Sequence, residues 1–170
     1  MATILLFPTA AEAAPLKARR SDLDIRICGV GVVNTALCVA EILANEQPEA
    51  IVLCGIAGSY TDALHIGDVV GVATECLAGM PKAYESIYRA SLSFESLPQV
   101  ASNTVSAVGA AAGASQIENM EGAMLFALCE RHNTACGEIR AISNLMTTPR
   151  AEWDIEAATE NLAAYIAEHF

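Results

Sequence analysis

Residues 50–58 read AIVLCGIAG, nine positions without a charge and with no polar side chain beyond one thiol. A strand with one wet face alternates apolar and polar residues; a strand covered on both faces runs almost continuously apolar. This run therefore predicts a strand buried between two layers. Runs of similar kind recur along the chain: TILLFP (3–8), DIRICGV (24–30), GDVVGVATE (67–75) and GEIRAISNLM (137–146). Between and after them, VNTALCVAEILANEQ, MEGAMLFALCERH (120–132) and the closing AEWDIEAATENLAAYIAEHF carry apolar positions at helical spacing. Such alternation predicts an α/β fold with a mostly parallel sheet. Sheets of this type bind ligands at the carboxyl ends of their strands. Glu12, Gly55 to Ser59, and Ser143 with Asn144 all fall just past predicted strand ends, so the topology brings them to one rim.

With 170 residues the chain fits one domain with a real core, and its 54 % hydrophobic content includes only 5 % aromatics. Alanine makes up much of the difference, which suits helices packed closely on a sheet. No apolar run approaches the roughly 18 residues that a membrane-spanning helix needs. The opening MATILLFPTAAEAAPLKARR lacks a basic segment ahead of its short apolar run, so it reads as a first buried strand rather than a secretory leader. Twenty acids against nine Lys and Arg leave a net charge of −11, which argues against nucleic-acid and anionic-membrane partners. None of the six cysteines forms a CxxC pair, and the three histidines lack ligand-like spacing to them. Free buried thiols in a reducing cytoplasm account for this pattern, with no metal site.

Five short stretches carry candidate chemistry. GVGVVN (29–34) follows a strand and opens a helix, but Asn34 stands where a dinucleotide fingerprint needs its third glycine, and no acid ends the next strand. A tight turn whose backbone lines a pocket fits better. GIAGS (55–59) reads either as a simple turn or as a pocket wall that backbone N–H groups can reach. Glu12, in the neutral stretch TAAEAAPL, is either a solvated helix residue or a partly desolvated carboxylate poised for proton transfer. In IENMEGAM (117–124), Asn119 could cap a helix and Glu121 could complement its dipole. Neither accounts for Gly122, which costs about 1 kcal/mol relative to alanine inside a helix and implies close approach by another group. RAISN (140–144) ends a strand in a serine and an amide. That is common turn chemistry, yet the amide also matches the edge of a 6-oxopurine, where a carbonyl and a ring nitrogen both accept.

Together the blocks FPTAAEA, GVGVVNTAL, GIAGSYTDALHIGDVV and MEGAMLFALCERHN followed by GEIRAISN resemble the purine nucleoside phosphorylase/nucleosidase superfamily. Within it they are most similar to futalosine hydrolase and to methylthioadenosine/S-adenosylhomocysteine nucleosidase. The resemblance implies one nucleoside phosphorylase-like domain over 1–170, a three-layer αβα sandwich around a mixed, mostly parallel sheet, with a shortened middle segment. It implies that Glu12 activates water, that Met120 and Glu121 pack under and bind the ribose, and that Asn144 acts on the base with Ser143 beside it. Ile56, Ala57, Gly58 and Asn119 are the further substrate-binding candidates. The implied reaction is hydrolysis of a purine nucleoside such as futalosine, without cofactor or metal, by a homodimer or higher homo-oligomer. Phosphorolysis, one alternative, would require cationic groups for phosphate, and no arginine lies in the first Gly-rich loop or beside GIAG in the sequence; a homologue that binds a nucleoside without turnover is the other.

Overall fold

The structure, a computed structural model, describes residues 3–170. Three parallel strands open the chain: β1 (Thr3–Phe7), β2 (Asp24–Ile27) and β3 (Ala50–Ser59), with β1 between the other two. Helices α1 (Ala10–Arg19) and α2 (Val32–Asn45) make the crossovers. There follow β4 (Val69–Leu77), β5 (Ile87–Arg89), β6 (Gln99–Thr104) and β7 (Ile117–Asn119), then α3 (Gly122–His132), β8 (Ala135–Leu145) and α4 (Ile155–His169). The sheet is mixed: β3–β8, β4–β6 and β6–β7 are parallel, whereas β3–β7, β4–β5 and β4–β8 are antiparallel.

Two apolar clusters explain why β3 has no polar alternation. Ile51 and Leu53 belong to the cluster beneath α2 and α3, and Val52 and Cys54 to the cluster beneath α1 and α4. Successive side chains point to opposite faces of a strand, so a helical layer on each face requires apolar residues at every position. This is the three-layer α/β architecture expected. Among the described residues, no helix is long and apolar enough to cross a membrane.

Several elements differ from the sequence reading. The second strand stops at Ile27 instead of continuing to 30, because Gly29 and Gly31 take φ of 86° and 90° and turn the chain into α2. GIAGS is not a turn: β3 continues through Ser59, so the pocket-wall reading holds. Helix α1, dominated by alanine, gave no visible apolar period. The middle segment after β4, to which no element was assigned from the sequence, builds β5 and β6, and Ile117–Asn119 forms a strand rather than the start of a helix.

The strands β3, β8, β4, β6 and β7 form a closed circuit. β8 runs beside β3 and then β4, β4 pairs β6, β6 pairs β7, and β7 returns to the last two residues of β3 through Gly58↔Glu118 and Ser59↔Ile117.

Candidate active site

At the carboxyl ends of β1, β3 and β8 lies a cavity of about 220 Å³. All nine residues singled out from the sequence line it: Glu12 from α1, Ile56, Ala57 and Gly58 from β3, Asn119, Met120 and Glu121 from the β7–α3 junction, and Ser143 with Asn144 from β8. Val30 from the glycine turn closes one side, and Trp153, with the Arg150 guanidinium 5.1 Å from its ring centroid, closes another.

Glu12 is held from both sides. Thr9 caps α1 by accepting the Glu12 N–H at 3.1 Å, and its hydroxyl donates to Glu12 Oε1 at 2.7 Å. The Ile56 N–H donates to Glu12 Oε2 at 3.1 Å. The carboxylate is thereby buried at the cavity, and the solvated-helix reading does not apply.

Arg140 corrects the expectation that no arginine stands beside GIAG. The parallel register pairs Gly55 with Arg140, and Arg140 Nη1 donates to the Ile56 carbonyl at 3.2 Å. A methyl group on Gly55 would meet Arg140 Nη1 at 2.6 Å and Glu12 Oε2 at 2.9 Å, so this glycine makes room for both charged groups. Arg140 is 1 % exposed, and its Nε and Nη2 donate to Glu138 Oε1 at 2.6 Å and Glu121 Oε2 at 3.2 Å. Burial pulls its pKa down, but the carboxylates of Glu138 and Glu121 more than reverse this and keep it fully charged.

IENMEGAM serves as cap and cavity floor together. Asn119 Oδ1 accepts from the N–H groups of Glu121 and Gly122 at 2.8 and 2.9 Å, while its Nδ2 donates to Glu75 Oε1 at 2.5 Å and Ser102 Oγ at 2.8 Å. These four bonds use the full capacity of an amide. Freed from capping, the Glu121 carboxylate turns inward and accepts the Gly31 N–H at 2.9 Å, opposite Arg140.

A β-bulge re-aims the end of β8. Ala57 pairs with Ile142 but Gly58 with Asn144, leaving Ser143 unpaired and turning the amide toward the cavity. Ser143 Oγ lies 2.9 Å from Asn144 Oδ1 and Asn144 Nδ2 donates to the Leu145 carbonyl at 3.3 Å. A Cβ at Gly58 would sit 3.1 Å from Asn144 Nδ2.

Sequence reasoning missed Arg140, Glu118 and Trp153. For two of them a signal was present: an arginine inside the strand-like run GEIRAISN needs a buried partner, and Trp153 is the only tryptophan in the sequence. Glu118 accepts from Tyr60 Oη at 2.5 Å and from the Gly109 N–H at 2.8 Å, which ties the loop after β6 to the cavity wall. Among the described residues, no group of three or more histidine, cysteine or acidic side chains could hold a metal ion.

Residues 25–84 match the Phosphorylase superfamily. A 5'-methylthioadenosine/S-adenosylhomocysteine nucleosidase of Lysinibacillus sphaericus is 33 % identical over 96 residues, covering 48 % of this chain and 39 % of that protein. One of Bacillus cytotoxicus is 43 % identical over 47 residues, 28 % of this chain and 20 % of its own length. These alignments thus span well under half of either relative. Among solved structures, a futalosine hydrolase mutant of Helicobacter pylori superposes with a TM-score of 0.86 at 14 % identity, covering 98 % of this chain and 97 % of that one. The Helicobacter pylori 5'-methylthioadenosine/S-adenosyl homocysteine nucleosidase gives 0.87 at 13 % identity with the same coverage. At such identities the likeness is one of fold. Sequence similarity over residues 25–84 and fold similarity over nearly the whole chain agree: this is a nucleoside phosphorylase-like architecture, and the chain resembles the purine nucleoside phosphorylase/nucleosidase superfamily.

Proposed function

We propose that this chain hydrolyses the N-glycosidic bond of a purine nucleoside, a hypoxanthine nucleoside such as futalosine, and releases the free base. The observation that supports this most is the meeting of Glu12, Glu121 and Asn144, far apart in sequence, around one cavity. Bond cleavage leaves an oxocarbenium-like sugar, and in this reading Glu121 binds ribose hydroxyls and stabilises that charge. Met120 packs beneath the sugar. Asn144 offers a planar acceptor and donor to the base edge, with Ser143 orienting its oxygen. Glu12 takes the proton of the attacking water. Asn119, its hydrogen bonds already filled, supports Glu121 from behind.

Arg140 favours a second reading, phosphate-dependent cleavage, because it places a cation at the cavity. Its guanidinium, however, is committed to Glu138, Glu121 and the Ile56 carbonyl, and Glu12, Glu118 and Glu121 outnumber Arg140 and Arg150 in the cavity lining, which disfavours a phosphate dianion. Incubating the protein with futalosine, inosine and methylthioadenosine, with and without phosphate, decides between the readings. Base release independent of phosphate is expected; release only with phosphate establishes phosphorolysis, and no release from any of the three refutes both.

Asn144→Asp is expected to shift the kcat/KM ratio of 6-amino over 6-oxo purine nucleosides upward by about tenfold or more. A protonated aspartate can donate to the ring nitrogen while accepting from an amino group. Parallel steady-state kinetics on inosine and adenosine analogues measure the shift.

The reading includes a homodimer or higher assembly. Val33 and Leu37, one turn apart on α2, are 67 % and 68 % exposed, next to Val30 at the cavity wall. A second copy covering this stripe would shelter both cavity and apolar surface. Sedimentation velocity should show a dimer for the natural chain and a monomer for Leu37→Asp. The six free cysteines suit the reducing cytoplasm.

A further inference from the structure

Behind the cavity floor, under the first turn of α3, two acids from different strands face each other. Glu75 of β4 and Glu138 of β8 are fully buried. A Cβ on Gly122 would collide with Glu138 Oε2 and would lie 2.5 Å from Glu75 Oε1, so the two carboxyl groups crowd one point. Three of their four oxygens have donors: Thr104 Oγ1 at 2.7 Å and Asn119 Nδ2 at 2.5 Å for Glu75, and Arg140 Nε at 2.6 Å for Glu138. Glu138 Oε2 has none. A bare carboxylate oxygen facing a second carboxylate in a dry interior is expensive, and Arg140, which pairs with Glu138, is shared with Glu121.

We propose that Glu75 and Glu138 hold a single proton between them, bridging Glu75 Oε1 and Glu138 Oε2, and that both act as positioning residues for Glu121. The proposal deepens the nucleosidase reading, on which its kinetic arm rests. Two arms leave the pair. Glu138 grips Arg140, which holds the Glu121 carboxylate; Glu75 grips Asn119, which holds the Glu121 and Gly122 N–H groups. Losing the bridging proton sets two negative charges against each other and slackens both arms. Burial pushes Glu75 well above the usual carboxylate range, with Glu138 adding to it, and burial also raises Glu138 against the pull of Arg140. The proton belongs to the pair and not to either residue alone.

Other titratable groups face this pair. From β8 come Arg140 and Cys136, from β3 Cys54, from β4 Cys76, from the α3 start Glu121, and after β3 Tyr60; β6 supplies only the neutral Ser102 and Thr104. Burial raises Cys54, Cys76 and Tyr60. Cys136, lowered to about 7 by its hydrogen bond with Cys129, is the group whose titration could be mistaken for that of the pair.

The test is Glu138→Gln, with Cys136→Ser as control. The new amide can accept from Arg140 and donate to Glu75 Oε1, so it keeps the charge and geometry of the singly protonated pair with no proton to lose. In the natural protein the folded state holds a proton that the unfolded state releases in the ordinary carboxylate range. Stability therefore falls as pH rises above that range and levels off past the raised pKa. Base release holds through that range and falls only above the raised pKa, where the folded pair loses its proton, by about tenfold per pH unit. Glu138→Gln should flatten the unfolding temperature against pH and move the alkaline limb of kcat upward, while Cys136→Ser keeps both as in the natural protein. A Glu138→Gln profile that matches the natural one in both measurements, or a Cys136→Ser profile that loses them, overturns the proposal. If no nucleoside is cleaved, the functional reading fails, but the unfolding series still decides whether the proton is there. Should Glu138→Gln not fold, infrared spectra of the natural protein decide: a neutral carboxylic acid carbonyl band at neutral pH is expected, and its absence is fatal.

Discussion

Glu12→Gln is expected to lower kcat by about 10²- to 10⁴-fold, the usual contribution of a positioned general base. The fold should survive. The amide oxygen can accept the Ile56 N–H, and the amide nitrogen can donate to Thr9 Oγ, whose hydroxyl is free to rotate away. What disappears is the charge that deprotonates water as it attacks the sugar. Base binding depends on the opposite end of the cavity, at Asn144, so affinity for free hypoxanthine should hold within about threefold. Steady-state kinetics paired with calorimetric titration of the base separate these two quantities. Turnover near the natural rate would transfer the water-activating role to another group.

Gly122→Ala should be the most destabilising single methyl in the chain. Overpacking a core typically costs about 1–3 kcal/mol because neighbours shift to accommodate it. Here the neighbours are Glu75 and Glu138, pinned by Thr104, Asn119 and Arg140, and neither can retreat without breaking a buried hydrogen bond. About 3 kcal/mol or more is expected, a large part of the 5–15 kcal/mol available to a typical domain. Gly79→Ala is the comparison. Its φ of 83° strains a side chain, but nothing lies within 4 Å of the added methyl, and the expected loss is about 1 kcal/mol. Urea midpoints measure both; similar losses in the two variants would show that the crowding at Gly122 is relieved cheaply.

The contrast between those glycines also shows what could be read from the chain. AIVLCGIAG announced a doubly covered strand because every side chain in it meets an apolar layer, a condition visible within nine residues. The cavity residues were legible as types: an acid, an amide and a Met-Glu pair placed where apolar sequence gave no local reason for them. Arg140 was not legible as a neighbour of Gly55, because that contact depends on the β3–β8 register across more than 80 residues of chain. Glu75 and Glu138, near the ends of two apolar runs, were not singled out from the sequence, because only the antiparallel β4–β8 pairing brings their strands together. Helix α1 hid because alanine fills its inner and outer faces alike, and β7, with three residues, is specified by its neighbours rather than by itself.

The closed strand circuit sets where this molecule can fray. A strand inside a ring cannot peel away singly, since two ladders must break before it leaves. The loose ends of the sheet are β2 and β5, one on each flank. The β2 margin carries Asp24 and Arg26, a charged border that discourages unwanted pairing with other chains. Thermal breathing and strand exchange should therefore begin at these margins, while the walls that hold Glu12, Glu121 and Asn144 keep their spacing until the whole enclosure gives way at once.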